Sequence, residues 1–393
     1  MKQHPTIAIY SGEIPSTTFI ERLIKGLSNS GSRVLLFGLI KQKTSYGKQV
    51  RVYGNKNTKV SKLWVLFSYS CLLLLFKHSQ KKRLDAILKE ANTNTFYTKV
   101  KCYQVLWHQP DIFHVQWAKG IADWLWVKAF GIKLVLSLRG AHINYSPIAD
   151  QALAATYRDC FPKVDGFHAV SKAIAKESLK YHSRDDKIQV IYSGLDLDTL
   201  VFQRKESISK DGLKILSVGR AHWKKGYRYA LDAMTVLKEI GVDFQYTIIG
   251  VKHDEALLYQ RHEAGLNDCV TFLDTLSFEE VKAQIASADV LLLPSIEEGI
   301  ANVVLEAMAL GTLVISTDCG GMNEVVTNNE SGFLVPIRDV AAMVDSLMNV
   351  YKMPIDTYQS ITKKARKVVE DHHTDEQMIS SFVNLYNNLE RLN

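Results

Sequence analysis

The sequence predicts an α/β fold with two doubly wound parallel sheets, on three grounds. Short β-rich apolar runs alternate with amphipathic helical patterns from end to end, as parallel strands with crossover helices require. A chain of 393 residues is too long for one ordinary core and suits two domains of roughly 150–200 residues. Several of the runs end in glycine-containing loops, the sites at which open α/β sheets bind ligands.

In the first half the expected strands are TIAIYS, RVLLFG, DIFHVQWA, KLVLSLRG and GFHAVS; in the second they are KILSVG, FQYTIIG, VTFLD, DVLLLPS, TLVIST and GFLVP. Ile191–Gly212 turns polar between the two sets and is the expected boundary, with domains over residues 1–192 and 193–374. The segment 375–393 carries Met378, Phe382, Leu385, Tyr386 and Leu389 on one helical face, which must pack on something. The N-terminal MKQHPTIAIYSGEIP has too short an apolar run for a secretory signal and reads as a first strand. Five scattered cysteines without a C-x-x-C pair predict neither a disulfide framework nor a zinc knuckle, and fit a reducing cytoplasm.

Net charge is +7, but residues 41–101 hold fourteen Lys or Arg against two Asp or Glu, leaving 34 against 39 elsewhere. One local basic surface follows, suited to an anionic membrane, with its flanking apolar run Leu63–Phe76. Fourteen residues fall short of the about 20 that span a bilayer, so no transmembrane helix is predicted. A wholly packed helix and an interfacial one remain the two readings, the packed one favoured. In the next segment, Leu84, Ile87, Leu88 and Ala91 should face the protein, and Lys81, Lys82, Arg83 and Lys89 the solvent or the lipid headgroups. No nucleic-acid-binding pattern accompanies the lysines.

The densest signal is PSIEEGIANVVLEAMALGTLVISTDCGGMNEVV, Pro294–Val326. It reads as strand end, glycine loop, helix, strand, and a second glycine loop opening another helix. Glu298 falls in the first loop, Glu306 in the following helix, and the backbone near Gly299–Asn302 can present N–H groups at a helix start.

The spacing E-G-x6-E from Glu298 to Glu306, G-G-x-x-E at Gly320–Glu324 and SVGRAHWKKG at Ser217–Gly226 resembles retaining glycosyltransferase family 4 of the GT-B fold. SGEIPSTTF, DIFHVQWA, LVLSLRGAH and HAVSKAIAKES resemble weaker landmarks of that family. The resemblance implies two Rossmann-like domains facing across a cleft, an acceptor-binding N-terminal one and a nucleotide-sugar-binding C-terminal one, with helix 375–393 returning to the first and a hinge near Ile191–Gly212. It implies transfer of a sugar from a UDP- or GDP-linked donor to a hydroxyl of a cell-surface glycan or lipid-linked acceptor. Anomeric configuration would be retained, with neither metal nor cofactor, on a cytoplasmic enzyme peripheral to the inner membrane face.

Carried over by position, Glu298 orients the donor sugar beside the backbone of Gly299, Ile300, Ala301 and Asn302, and Glu306 binds the ribose. Arg220 and Lys225 neutralise the diphosphate as it leaves, and Gly12, in the loop after the first strand, lets backbone approach the same phosphates. The chain departs from the family at Arg139-Gly140-Ala141-His142, where many relatives have H-G-x-D. Arg139 can bind phosphate or carboxylate but cannot act as a base. His142 can titrate near neutrality and is the expected catalytic or sugar-binding residue there.

Blander readings hold elsewhere. Glu324 is expected to cap its own helix, Asp196 and Asp198 read as linker rather than as a D-x-D metal site, and His114 as a satisfied core histidine. A nucleotide-sugar epimerase or hydrolase of the same fold, and a catalytically silent nucleotide-sugar or membrane-binding scaffold, stand as alternatives.

Overall fold

The computed structural model describes residues 5–208 and 212–391, with the side chains of residues 390 and 391 outside that description. Residues 209–211 of the expected boundary segment and 392–393 of the expected final helix therefore lie outside the described residues. The chain forms two compact units. Residues 1–170, 174–194 and 375–393 make the first, and residues 171–173 and 195–374 the second.

The first unit is built on β1 (Thr6–Ile14), β2 (Arg33–Ile40), β3 (Val50–Asn55), β4 (Ile112–Val115), β5 (Lys133–Leu138), β6 (Gly166–Ala169) and β7 (Ile188–Val190). They pair in parallel in the order β3-β2-β1-β4-β5-β6-β7. Side chains alternate across the sheet. Ile7, Ile9, Val34 and Leu36 pack on α1 (Thr18–Asn29) and the last helix, Asp375–Arg391, through Phe19, Leu23, Met378, Phe382 and Tyr386. Ala8, Leu35 and Phe37 point the other way, into a core with Trp124, Tyr157 and Phe161.

The second unit carries β8 (Leu213–Val218), β9 (Phe244–Ile249), β10 (Val270–Leu273), β11 (Val290–Leu293), β12 (Leu313–Thr317) and β13 (Phe333–Val335), all parallel, in the order β10-β9-β8-β11-β12-β13. Along β11, Val290 and Leu292 enter one core and Leu291 and Leu293 the other. In each sheet the order reverses beside the first strand, at β1/β4 and at β8/β11, which makes the carboxyl ends there the natural ligand sites.

Three helices of the first unit bear on function: α2 (Lys59–Phe76), α3 (His78–Glu90) and α4 (Phe96–His108). The expectation of a wholly packed Leu63–Phe76 is corrected. The helix runs 18 residues, starting at Lys59, and Leu73 alone is buried. Leu66, Tyr69 and Leu73 face the core on the α4 side, and the Tyr69 hydroxyl bonds His108 Nε2 at 3.1 Å. Val60, Leu63, Trp64, Phe67, Leu74 and Leu75 are exposed. Their spacing of three and four residues makes one apolar stripe along about 24 Å of helix. By length and composition alone α2 is long and apolar enough to cross a membrane. On α3, Leu84 and Leu88 are buried, but Ala91 is exposed because the helix ends at Glu90, and Lys81 pairs with Asp85 at 2.7 Å rather than reaching out alone.

Candidate functional site

Three adjacent parallel strands of the second unit end in the segments that the sequence singled out: β8 before Arg220, β11 before Glu298 and β12 before Gly320. Glu298 is buried, and Lys225 Nζ stands 2.7 Å from its Oε1, with Lys224 Nζ 4.0 Å from Oε2. The Ser295 hydroxyl donates to Oε1 at 3.1 Å. The loop is fixed from two sides. Ile296 N–H donates to the Lys224 carbonyl at 2.6 Å, and Gly321 N–H to the Gly299 carbonyl at 2.8 Å.

Glycine is needed at two of these contacts. Gly226 has φ +66°, and a Cβ there would stand 2.0 Å from the Pro294 carbonyl oxygen. Gly320 has φ +55°, and a Cβ would stand 1.8 Å from the Glu298 carbonyl oxygen. Each glycine thus lets one loop press its backbone onto another, and the pressing locates Glu298.

Arg220 is exposed just after β8, and it, Lys224 and Lys225 all act on His222, whose pKa is lowered by burial and then by these cations. Glu306 lies half-buried in the second turn of the helix Asn302–Leu310, which begins after Ala301 without a side-chain cap. In its first turn the Val304 N–H donates to the Ala301 carbonyl at 3.0 Å. Lys224, Ser295 and His222 were missed by sequence reasoning, although the K-K pair before Gly226 was visible.

The second glycine loop departs from expectation. It opens a single 3-10 turn, Met322–Glu324, instead of a helix, so Glu324 has no helix of its own to cap. Its carboxylate accepts from the N–H groups of Lys172 and Ala173, at 2.8 and 2.9 Å. Asp196 and Asp198 form a local turn, Asp198 N–H donating to Asp196 Oδ1 at 3.2 Å. Among the described residues no group of three or more His, Cys, Asp and Glu is placed to hold a metal ion.

A second cluster lies at the strand ends of the first unit. Arg139 follows β5, and its guanidinium donates to Gln116 Oε1 at 2.8 Å while its Cζ lies 3.9 Å from the Phe19 ring centroid. No carboxylate pairs with it among the described residues; burial pulls it down to about 9, which still leaves it cationic at neutral pH. Arg139 Nε, Gln116 Nε2 and His142 Nδ1 are buried without hydrogen-bond partners among the described residues. The expected titration of His142 near neutrality is corrected: burial, then Lys119 and Arg139, lower it to about 4, so the ring is neutral at pH 7. His114 is a satisfied core histidine, with Nδ1 2.8 Å from the Tyr386 hydroxyl and Nε2 2.8 Å from Ser137 Oγ. Gly12 lies inside β1, at a register shift and with φ +83°, not in the loop after it.

Two family profiles match the chain, Glycosyltransferase Family 4 over residues 16–199 and Glycosyl transferases group 1 over residues 199–368. The chain belongs to the group 1 glycosyltransferases. Among its glycosyltransferase relatives, WcaL of Escherichia coli, named for colanic acid biosynthesis, is 35% identical over 57% of this chain and 56% of its own. The amylovoran biosynthesis glycosyltransferase AmsK of Erwinia amylovora is 30% identical over 66% and 65%. These matches span about half to two-thirds of the relatives' lengths. In fold, this group 1 chain is similar to sucrose-phosphate synthase of Thermosynechococcus elongatus, with TM-score 0.76 at 17% identity over 99% of this chain and 100% of that one. It is also similar to HepE of Anabaena, solved with UDP, with TM-score 0.71 at 15% identity over 98% and 100%. Two parallel-sheet units with these neighbours make the architecture that of the GT-B glycosyltransferases.

Proposed function

We propose that the protein transfers a sugar from a nucleotide-diphosphate donor to a hydroxyl of a cell-surface glycan or lipid-linked acceptor, with retained anomeric configuration, at the inner face of a membrane. The observation that carries the reading is the buried Glu298 carboxylate, held by Lys225 and Ser295 at the ends of β8 and β11, with Lys224 Nζ 4.0 Å away and Arg220 in the loop after β8.

In this reading Glu298 accepts hydrogen bonds from donor-sugar hydroxyls and Glu306 from the ribose. Arg220, Lys224 and Lys225 face the diphosphate. As the C1–oxygen bond breaks, negative charge collects on the leaving phosphate, and fixed cations stabilise it without reorganisation, the work a metal does in other transferases. The acceptor hydroxyl bonds C1 on the face the phosphate leaves and passes its proton to a phosphate oxygen. Neutral His142 and cationic Arg139 serve the first unit's share of substrate binding. The UDP in the HepE structure and the biosynthetic names of WcaL and AmsK support the donor and acceptor classes.

The membrane part of the reading rests on α2. Its packed side faces α4 and its stripe of exposed Leu63, Trp64 and Phe67 faces away, which suits a helix lying in the headgroup boundary, with the neighbouring lysines drawn to anionic lipid.

A thermal-shift panel of UDP-, GDP- and ADP-sugars identifies the donor, because a ligand at about 100 times its dissociation constant adds about 2.7 kcal/mol. With that donor, Glu298→Ala and Lys225→Ala should each remove turnover while circular dichroism shows a folded chain. Full turnover in both variants rejects the site. Sedimentation with anionic vesicles tests the membrane assignment, and absence of binding at low salt rejects it.

A further inference from the structure

The first unit holds a cavity of about 330 Å³ at the carboxyl ends of β1, β2 and β3, walled by α2 and α4. Strand register builds it. Tyr10, Phe37 and Tyr53 stand opposite one another across the three strands, and one rung further Gly12, Gly38 and Gly54 do the same. The aromatic rung is tight, with Phe37 and Tyr53 stacked at 5.5 Å and Tyr10 against Trp124 at 4.6 Å. The glycine rung carries no side chains, and Gly12 and Gly38 both line the cavity. A Cβ at Gly38 or Gly54 would point to the opposite face, toward Ile14 or Ile40, so the rings alone floor the cavity.

The charged side chains on the walls are Lys62, Lys101 and Glu13. Lys62 of α2 donates to Asn57 Oδ1 at 2.8 Å and lies over the Tyr97 ring at 5.0 Å. Lys101 of α4 also lines the cavity, and its charge opposes the rise that burial gives the Tyr10 hydroxyl. Neither lysine has a carboxylate partner among the described residues; the lining acid, Glu13, pairs with Lys41 at 2.6 Å. Asp123 reaches Tyr10 only through its charge. Beside Lys62 on the same helix begins the exposed apolar stripe of Val60, Leu63, Trp64 and Phe67.

We propose that this cavity is the acceptor site and that its ligand is a saccharide joined through diphosphate to a lipid. The sugar rests on the Tyr10–Phe37–Tyr53 rung, the diphosphate lies between Lys62 and Lys101, and the lipid leaves along the apolar face of α2. The assignment rests on the glycosyl-transfer reading above and adds the acceptor's chemistry to it. The volume falls in the range of small-molecule sites, and apolar walls with a few placed polar groups are their usual build. Ammonium groups bind phosphate oxygens as charge-assisted donors, and a carboxylate on the sugar is the other anion they could read.

The test is isothermal titration of the full chain with short-prenyl diphosphate-linked glucose, galactose and N-acetylglucosamine. The methyl glycosides of these sugars, methyl glucuronide and the bare prenyl diphosphate are the reference arms. At least one diphosphate-linked sugar should bind about 10-fold or more tighter than its methyl glycoside and than the bare prenyl diphosphate, and Lys62→Ala and Lys101→Ala should each weaken it by about 10-fold. Lys364→Ala, an equal change of charge in the second unit, should leave that affinity unchanged.

Methyl glucuronide binding as tightly as the best diphosphate-linked sugar would place a carboxylate there and overturn the lipid-diphosphate assignment. Bare prenyl diphosphate binding equally would overturn the sugar's place on the aromatic rung. Silence from every probe, with a donor-induced thermal shift intact, would overturn the cavity assignment alone. Loss of the donor shift as well would sink the glycosyl-transfer reading beneath it. Both lysines lie at the surface, so unliganded melting temperatures confirm that each variant folds.

Discussion

The two units solve the same problem, holding charge at the carboxyl ends of parallel strands, in opposite ways. In the second, the buried acid Glu298 meets Lys225 at 2.7 Å, with a serine and a second lysine close by. In the first, the cation Arg139 meets an amide oxygen and an aromatic face, and its Nε, Gln116 Nε2 and His142 Nδ1 have no hydrogen-bond partners among the described residues. A compensated charge supports its loop while it waits for substrate; an uncompensated one is held by the surrounding fold at a cost in stability. The contrast places preorganisation in the second unit and unspent binding capacity in the first.

The sharpest way to break that comparison is Lys225→Met. It leaves Glu298 buried without its closest cation, which should destabilise the second unit by about 3 kcal/mol, the low end for a broken buried pair because Lys224 can take part of the load. Hydrogen exchange resolved by segment should show the loss in β8, β11 and the Pro294–Ala301 loop. Unchanged protection there would mean that the pair is not structural.

What was legible in the sequence follows the same division. The Glu298 site comes from two contiguous stretches, each with its glycines, so its residues and their loops could be read together. All six strands of the second sheet carry apolar runs and were anticipated. In the first sheet β3 and β7 were not: VRVYGN is a polar edge strand with a glycine and no unbroken apolar run, and β7 is only the three residues Ile188–Val190. With β3 missing, the register that aligns Tyr10, Phe37 and Tyr53 could not be seen. The packed face of α2 was hidden for a different reason: a helix apolar nearly all round does not disclose which side meets α4. Glu324 was misread because its partners, Lys172 and Ala173, lie about 150 residues away.

A middle-sized effect separates the units by acid. Burial holds His114 down to about 3 and His168 well below the ordinary histidine value. Their folded pKa values are depressed, so between about pH 6.5 and 4 the unfolded chain binds protons that the folded first unit does not, and stability falls as pH falls. His114 contributes about 1.4 kcal/mol per pH unit in that window and nothing above it, and His168 adds in the same direction. Five of the six tryptophans (Trp64, Trp107, Trp117, Trp124 and Trp126) lie in the first unit, so tryptophan fluorescence during urea unfolding reports it almost alone. A midpoint that holds constant from pH 6.5 to 5 would show that these rings protonate within the fold.

The smallest expected effect decides the comparison, because it has the opposite sign. Arg139→Met removes a cation that no carboxylate pairs with among the described residues and keeps a flexible apolar chain against Phe19. Relieving a buried charge in this way should leave the first unit as stable or more stable, by about 1 kcal/mol, where Lys225→Met weakens the second. Gln116 Oε1 loses its nearer donor and keeps the Ser137 hydroxyl at 3.3 Å, which limits the gain only in part. Turnover should nevertheless drop, because the cation is there to meet substrate. Stability measured by tryptophan fluorescence and turnover measured with the identified donor must therefore move apart. If Arg139→Met lowers both together, the guanidinium is a structural tie like Lys225, and the two strand-end sites are built on one plan after all.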